Sequence, residues 1–267
     1  MTKSGLEGFG RVYERYTSDT LDADAIKMLS AKYERIANIP IKFIGVWDTV
    51  GSLGVPQFYI CGWKPKLINY LLRNTRSFQL HKVELYPNIE FACHAYVPIT
   101  CSLINGRLAL DERRAPFSPT LWHMSPDNTK TTLKQVWFPG IHSSVGAGEP
   151  DHGLSNVAIA WMVQQLNDNT DLYLDIDYLS RMRSKGENSM GRPWGCGTFK
   201  DSYAGIYKLS GAIPRTPGKY SVGGPTHEYL HKSVIQRMNT ADIQYRTPDI
   251  GGLQEDEFGE VEKKLSW

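Results

Sequence analysis

The feature that most constrains the fold is the apolar run IKFIGVW at residues 41–47, which lies between a proline and an aspartate. A run of this length without polar alternation predicts a strand buried on both faces, as in a parallel sheet covered by helices. A second such run, LKQVWF, occupies residues 133–138. Apolar residues at helical spacing in 22–37 and 154–166 predict covering helices, the second with Ser155 as its N-cap. We therefore expect an α/β fold with a mainly parallel sheet and helices on both faces.

The rest of the chain is less regular. Five prolines break residues 62–122 into short pieces, so we expect mostly loops and covering segments there. Beyond about residue 185 the sequence is rich in glycine and proline, which predicts surface loops before a last helix at 226–238. We expect a single domain over residues 1–248, followed by an acidic tail over residues 249–267.

Composition argues against several classes of protein. Thirty basic and 28 acidic residues leave a net charge of +2, too small for the basic surface expected of a nucleic-acid binder. The four cysteines form no C-x-x-C pair, which favours a reducing compartment, and we expect a cytoplasmic protein. The sequence contains no secretory signal and no apolar run long enough to span a membrane, so any contact with lipid is expected to be peripheral.

Polar residues that directly follow strands are the first candidates for chemistry, because ligands of open α/β sheets bind outside the carboxyl ends of the strands. Asp48 follows the first predicted strand, and His142 follows the second after Pro139 and Gly140. A serine hydrolase needs an imidazole as base and a carboxylate that orients it, and the α/β-hydrolase type has the aspartate before the histidine. The alternatives are a turn-capping aspartate and a hydrogen-bonded structural histidine.

The serine of such a site is normally found in a G-x-S-x-G turn. No such segment occurs in the sequence. The nearest approaches surround Ser52, in Gly-Ser-Leu-Gly, and Ser155, in Gly-Leu-Ser-Asn-Val. These two serines are better explained by a turn and by a helix cap.

Other chemistries receive less support. His142, Asp151 and His152 could supply zinc-type ligands, but their spacing matches no known motif, so we expect no metal and no cofactor. Cys61 and Cys93 have no local signature of a nucleophile around them.

Three separated motifs carry a resemblance to a known family: WDTVGSLG at 47–54, LALDERRAPFSPTLW at 108–122 and VWFPGIHSSVGAGEPDHGLSNVAIAWMV at 136–163. They resemble the α/β-hydrolase-like catalytic domain of type VI secretion phospholipase effectors, which is also widespread in fungal proteins of unassigned function. The resemblance implies a three-layer α/β-hydrolase-like fold, a Ser-Asp-His triad and hydrolysis of carboxylic esters such as phospholipids.

Carried over by position, the resemblance makes Asp48 the triad acid and His142 the triad base. Asp111, Glu112, Arg113 and Arg114 match a family motif of unassigned role, for which we favour a buried salt-bridge cluster, and Asp151 is suited to holding the loop after the histidine.

The sequence also departs from the family pattern. The family's nucleophile motif, G-F-S-R-G-A, is expected upstream. Gly8-Phe9-Gly10-Arg11 shares some of its letters, but Gly10 replaces the serine and Val12 the next glycine, so we interpret this likeness as chance. About ten residues (VPITCSLINGR) form an apparent insertion before Leu108. We therefore expect a partial, N-terminally truncated serine hydrolase, inactive alone, whose completed form acts on a lipid or small ester. The alternative is a non-catalytic remnant that binds a lipid or an unidentified protein partner.

Overall fold

The structure, a computed structural model, describes residues 40–50, 52–53, 78–79, 82–85, 89–96, 112, 114, 117, 119–185, 194–205, 208, 215–220, 224–245, 250 and 252–266. The strands in these ranges are β1 (Ile41–Trp47), β2 (Ser52–Leu53), β3 (Phe78–Gln79), β4 (Lys82–Leu85), β5 (Ile89–Tyr96), β6 (Leu121–Met124), β7 (Thr132–Trp137), β8 (Glu228–His231) and β9 (Gln254–Asp256). The helices are α1 (His142–Val145), α2 (Ser155–Asn169), α3 (Ile176–Lys185), α4 (Lys232–Asn239) and α5 (Glu260–Ser266). The predicted helix at 22–37 lies outside the described residues.

The main sheet has five strands in the order β1-β5-β7-β8-β9, and every neighbouring pair is parallel. The predicted α/β fold with a mainly parallel sheet is therefore confirmed. Two small pairs accompany it, a parallel β4–β6 pair and an antiparallel β2–β3 pair. Because the five strands run the same way, their carboxyl ends share one edge of the sheet, which we call the rim.

Alternating side chains divide between the two faces of the main sheet. On one face, residues of β5 and β7 form a core with α2 that includes Phe91, Val136 and Trp161. On the opposite face, Ala92 and Leu133 pack against Trp122 of β6, and Val234 of α4 joins a further cluster with Trp137 and Leu230. Burial on both faces explains why the strand sequences are almost continuously apolar.

Helix α2 lies very close to β1. A Cβ atom on Gly45 would come within 2.5 Å of the Met162 sulfur, so a larger residue at this crossing would require neighbouring side chains such as Met162 to shift. Helix α2 begins at Ser155, one residue later than predicted, and its N-cap is Leu154. The Ser155 hydroxyl donates to the His152 carbonyl at 3.2 Å, so the prediction that Ser155 is the N-cap is wrong.

Two regions differ from the sequence prediction. Residues 62–122 were expected to be mostly loops, but they contain β5, which lies between β1 and β7 in the main sheet. Prolines near both ends of β5 bound a buried strand instead of marking a loop. The helix predicted over 226–238 is a strand followed by a shorter helix, because the apolar spacing of EYLH suits both conformations. The acidic segment 249–267 contributes β9 to the sheet and α5, which contacts α2.

No helix among the described residues is both long and apolar enough to cross a membrane.

Candidate active site

Asp48 directly follows β1 at the rim. Its backbone has a φ of 38°, in the left-handed region where aspartate is more readily accommodated than most residues. The Asp48 amide donates to the Ala95 carbonyl at 2.8 Å, and the side chain is almost completely buried. The strand end and the turn therefore fix the direction of the Asp48 carboxylate.

His142 is the first residue of α1 and follows a tight turn after β7. Gly140 in this turn has a φ of 120°, which a side chain would strain, and a Cβ there would lie 2.7 Å from the Ser144 Cβ. Strands β1 and β7 lie on either side of β5, about 10 Å apart. The two side chains nevertheless meet, with His142 Nδ1 2.7 Å from Asp48 Oδ2.

This contact defines the chemistry available to His142. A carboxylate only accepts hydrogen bonds, so the Nδ1 atom carries the proton in the neutral ring and Nε2 keeps its lone pair. The His142 side chain is 33% exposed, and its Nε2 forms no hydrogen bond with the described residues. Asp48 thus orients the imidazole through one ring nitrogen while the side chain stays partly exposed, as a general base needs.

The Asp48 carboxylate has a second partner, the guanidinium of Arg215. Arg215 donates from Nη1 to Oδ1 and from Nη2 to Oδ2, the latter at 3.0 Å. Burial alone would raise the pKa of Asp48, but the Arg215 guanidinium and the His142 hydrogen bond outweigh it and hold the pKa well below its usual range. Asp48 is therefore ionised throughout the neutral pH range.

A second histidine, His94 on β5, lies behind this pair. Its Nε2 accepts a hydrogen bond from the Thr49 amide at 2.8 Å, and its ring contacts Trp122. Burial lowers the pKa of His94 to about 3, so the ring is neutral at physiological pH. His94 therefore supports the turn that carries Asp48 without competing with His142 for a proton.

A short polar and aromatic segment packs against the His142 ring. Phe117 packs edge to face against the imidazole, with ring centroids 5.0 Å apart. The Arg114 guanidinium lies 3.6 Å from the centre of the Phe117 ring. Buried Glu112 accepts from Arg114 Nε at 2.8 Å and from Nη2 at 2.7 Å. The favoured salt-bridge interpretation of this motif agrees with the contacts of its two described members, while Asp111 and Arg113 lie outside the described residues.

The loop after His142 is fixed by Asp151. Its carboxylate accepts from the Gly153 amide at 2.9 Å and from both the amide and the hydroxyl of Thr198, at 2.8 and 2.9 Å. Burial would raise the pKa of Asp151, but these hydrogen bonds outweigh it and lower the pKa. The structure thus gives Asp151 a loop-holding position.

Several other candidates are not brought into this site. Among the described residues there is no group of three or more His, Cys, Asp or Glu side chains able to hold a metal ion, so His142, Asp151 and His152 do not form one. Cys93 lies in the core with its Sγ 3.4 Å from the Met162 sulfur, and burial raises the pKa of its thiol, which disfavours the nucleophilic thiolate. Cys61 lies outside the described residues, and Ser52 lies in β2.

Comparison with known proteins bears directly on this arrangement. Residues 10–165 match the family described as the catalytic domain of type VI secretion system phospholipase effectors of the Tle1-like type. The chain belongs to this family. The recognition from the three motifs is therefore confirmed, and the match includes both Asp48 and His142. No curated protein and no solved structure matches the chain.

Sequence reasoning missed three residues of this site: His94, Phe117 and Arg215. Phe117 lies within the family motif at 108–122, which was the one available signal for it. His94 is part of a strand that was not predicted. Arg215 lies in the glycine- and proline-rich segment and beyond the matched residues, so neither periodicity nor the family pattern identified it.

Proposed function

We propose that this chain supplies the acid, Asp48, and the base, His142, of a serine-dependent carboxylic ester hydrolase. The observation that supports this most directly is the 2.7 Å contact between Asp48 Oδ2 and His142 Nδ1 in a side chain that is 33% exposed. The family description points to phospholipids, so the proposed substrates are lipid-like esters. The site is proposed to need neither a metal nor a cofactor.

The reaction follows from these positions. His142 Nε2 takes the proton from a serine hydroxyl as the serine oxygen bonds to the carbonyl carbon of the ester. Asp48 stabilises the imidazolium that forms, and Nε2 then gives its proton to the departing alcohol as the ester C–O bond breaks. A water molecule repeats these steps on the acyl-serine and releases the fatty acid.

We propose that the nucleophilic serine is not supplied by this sequence. The 267 residues contain no G-x-S-x-G segment. The serines next to His142 are already engaged, since the Ser143 hydroxyl donates to Glu149 and the Ser144 hydroxyl accepts from the Ile141 amide. We therefore propose that the 267-residue chain alone is inactive and that a nucleophile elbow restores turnover.

The test is to express the chain alone and together with an elbow-bearing segment from a member of this family. Each form is treated with a fluorophosphonate probe, which labels activated serines, and assayed on a short-chain ester and on phospholipid vesicles. We expect labelling and turnover only in the completed protein. His142→Ala should abolish both, whereas His152→Ala, which changes an exposed histidine on the same loop, should preserve them.

Two results would contradict the proposal. Labelling of a serine in the chain alone would show that it needs no added elbow. Full turnover by the completed protein carrying Asp48→Asn together with His142→Ala would show that these residues are not the acid and base.

A second candidate is a non-catalytic remnant that binds lipid or a protein partner at the same rim. Trp47, which directly precedes Asp48 at the rim, is 42% exposed and offers an apolar surface there. This function predicts that the chain binds phosphatidylcholine vesicles, that Trp47→Ala weakens the binding, and that the completed protein is neither labelled nor active.

A further inference from the structure

We infer that Arg215 is a positioning residue for the acid–base pair. Its guanidinium binds both oxygens of Asp48 and the backbone carbonyl of Phe117, so it fixes the carboxylate and the aromatic ring that contact His142. The inference rests on the proposed function for its catalytic meaning. The positioning itself can be measured without turnover.

The first step in the argument is the geometry of the carboxylate. The two Asp48 oxygens each accept from a different nitrogen of Arg215, and this fork holds the carboxylate plane. Oδ2 also accepts from His142 Nδ1 at 2.7 Å. Rotation of the carboxylate would move Oδ2 away from the imidazole, so the fork also sets the direction of the hydrogen bond to His142.

The second step concerns the aromatic neighbour of the imidazole, Phe117. The Arg215 Nη2 atom donates to the carbonyl of Phe117, whose ring packs edge to face against His142. One planar guanidinium therefore connects the hydrogen-bond partner of the imidazole with its aromatic neighbour. Lysine could replace the charge of Arg215, but it could not bridge these three oxygen atoms in one plane.

The third step is the energetic cost of the arrangement. Asp48 and Arg215 are 1% and 2% exposed. The free-energy cost of removing both charges from water offsets much of their electrostatic attraction. A well-packed apolar pair of similar size would often stabilise a fold equally well. The orientation of Asp48 toward His142 is something that an apolar pair could not provide.

The experiment compares Arg215→Lys and Arg215→Met with Arg237→Met as a matched control. Arg237 is also buried and also holds a loop, through the Gly195 and Gly197 carbonyls at 2.9 and 2.8 Å, and its guanidinium lies over the rings of Phe199 and Tyr245. The readout is the pair of ¹⁵N chemical shifts of the His142 ring, which reports which nitrogen carries the proton.

The unsubstituted chain should show one tautomer, with the proton on Nδ1. Both Arg215 variants should move the two ring nitrogens toward a shared intermediate shift, and Arg237→Met should not. If Arg215→Met does not fold, Arg215→Lys, which keeps the charge, still provides the comparison. An unchanged tautomer in a folded Arg215 variant would overturn the inference.

In the completed hydrolase, Arg215→Lys should lower kcat by about 10²-fold, as small misplacements of catalytic groups do. KM should stay unchanged because the Arg215 side chain is buried. If the completed protein shows no turnover while Arg215→Lys still changes the tautomer, the proposed function fails and the positioning role remains. A loss of turnover without a change of tautomer would contradict the positioning role alone.

Discussion

Two histidine–carboxylate pairs in the part of the chain that the structure describes have almost the same hydrogen-bond length. His142 Nδ1 lies 2.7 Å from Asp48, and His231 Nε2 lies 2.9 Å from Glu262. His231 also has a hydroxyl partner, because its Nδ1 lies 2.7 Å from the Ser233 oxygen. Judged by its order of contacts, hydroxyl to imidazole to carboxylate, the second pair resembles a complete triad more closely than the first.

The two pairs differ in their access to solvent. The His231 side chain is completely buried and stacks on Phe138, with ring centroids 4.4 Å apart, while Ser233 and Glu262 are buried as well. An ester could not reach this serine. His142 lies at the rim with a third of its side chain exposed. Because His231 also stands at the carboxyl end of its strand, β8, the comparison teaches that access to solvent, more than strand-end position or hydrogen-bond order, distinguishes a candidate catalytic pair from a structural one.

The sharpest way to break this comparison is an activity measurement on the completed protein. His142→Ala should lower kcat by about 10⁴-fold or more, because the proton acceptor is lost. Ser233→Ala should leave kcat unchanged at a temperature where both variants are folded. A large loss of kcat in Ser233→Ala would show that the buried group participates and that our distinction is wrong.

Stability should show the opposite ranking. His231→Ala leaves a cavity beside Phe138 and removes the imidazole from buried Glu262, so we expect the free energy of unfolding to fall by about 3 to 5 kcal/mol. His142→Ala removes one rim hydrogen bond and should cost about 1 kcal/mol. Urea unfolding followed by circular dichroism measures both, and similar losses in the two variants would contradict the structural assignment of His231.

The pH dependence of stability tests the contribution of Asp48, the buried member of the rim pair. Because the folded state lowers the pKa of Asp48 below its ordinary value of 3.8, the unfolded chain binds a proton here at higher pH than the folded chain does. The contribution of Asp48 is therefore complete above about pH 5 and is lost as the pH falls through the ordinary value toward the folded one. Unfolding between pH 6 and pH 3 should depend less steeply on pH in Asp48→Asn, and an unchanged slope would contradict this.

The smallest effect is expected for the buried hydroxyl. Ser233→Ala removes the oxygen that lies near His231 Nδ1, but the Ser233 amide still donates to that atom at 3.2 Å. The unfolding free energy should therefore fall by only about 1 kcal/mol. Ser180→Ala changes a partly exposed serine whose hydroxyl donates to the Lys264 carbonyl at 3.5 Å, so it provides the control and should have a smaller effect. A loss of unfolding free energy several times larger in Ser233→Ala would mean that the Ser233 hydroxyl is the main partner of the His231 ring.

Prediction from sequence succeeded where the pattern is local. The run at 41–47 and the run at 133–138 correspond to β1 and β7, and helix α2 begins within a residue of its expected start. Prediction failed for β5, because prolines on either side were treated as signs of a loop. It also failed for β8, because four residues are too few to separate the period of a strand from that of a helix.

The sequence by itself determined the strand ends after which Asp48 and His142 stand, because unbroken apolar runs specify buried parallel strands and such strands share one rim. Only the tertiary structure decided the partners of those two residues. Arg215 meets Asp48 across 167 positions of the chain, and His94 and Phe117 approach from segments without a recognisable period. Hydrophobic periodicity reports the burial of neighbouring residues, whereas these contacts depend on how distant loops close over the rim.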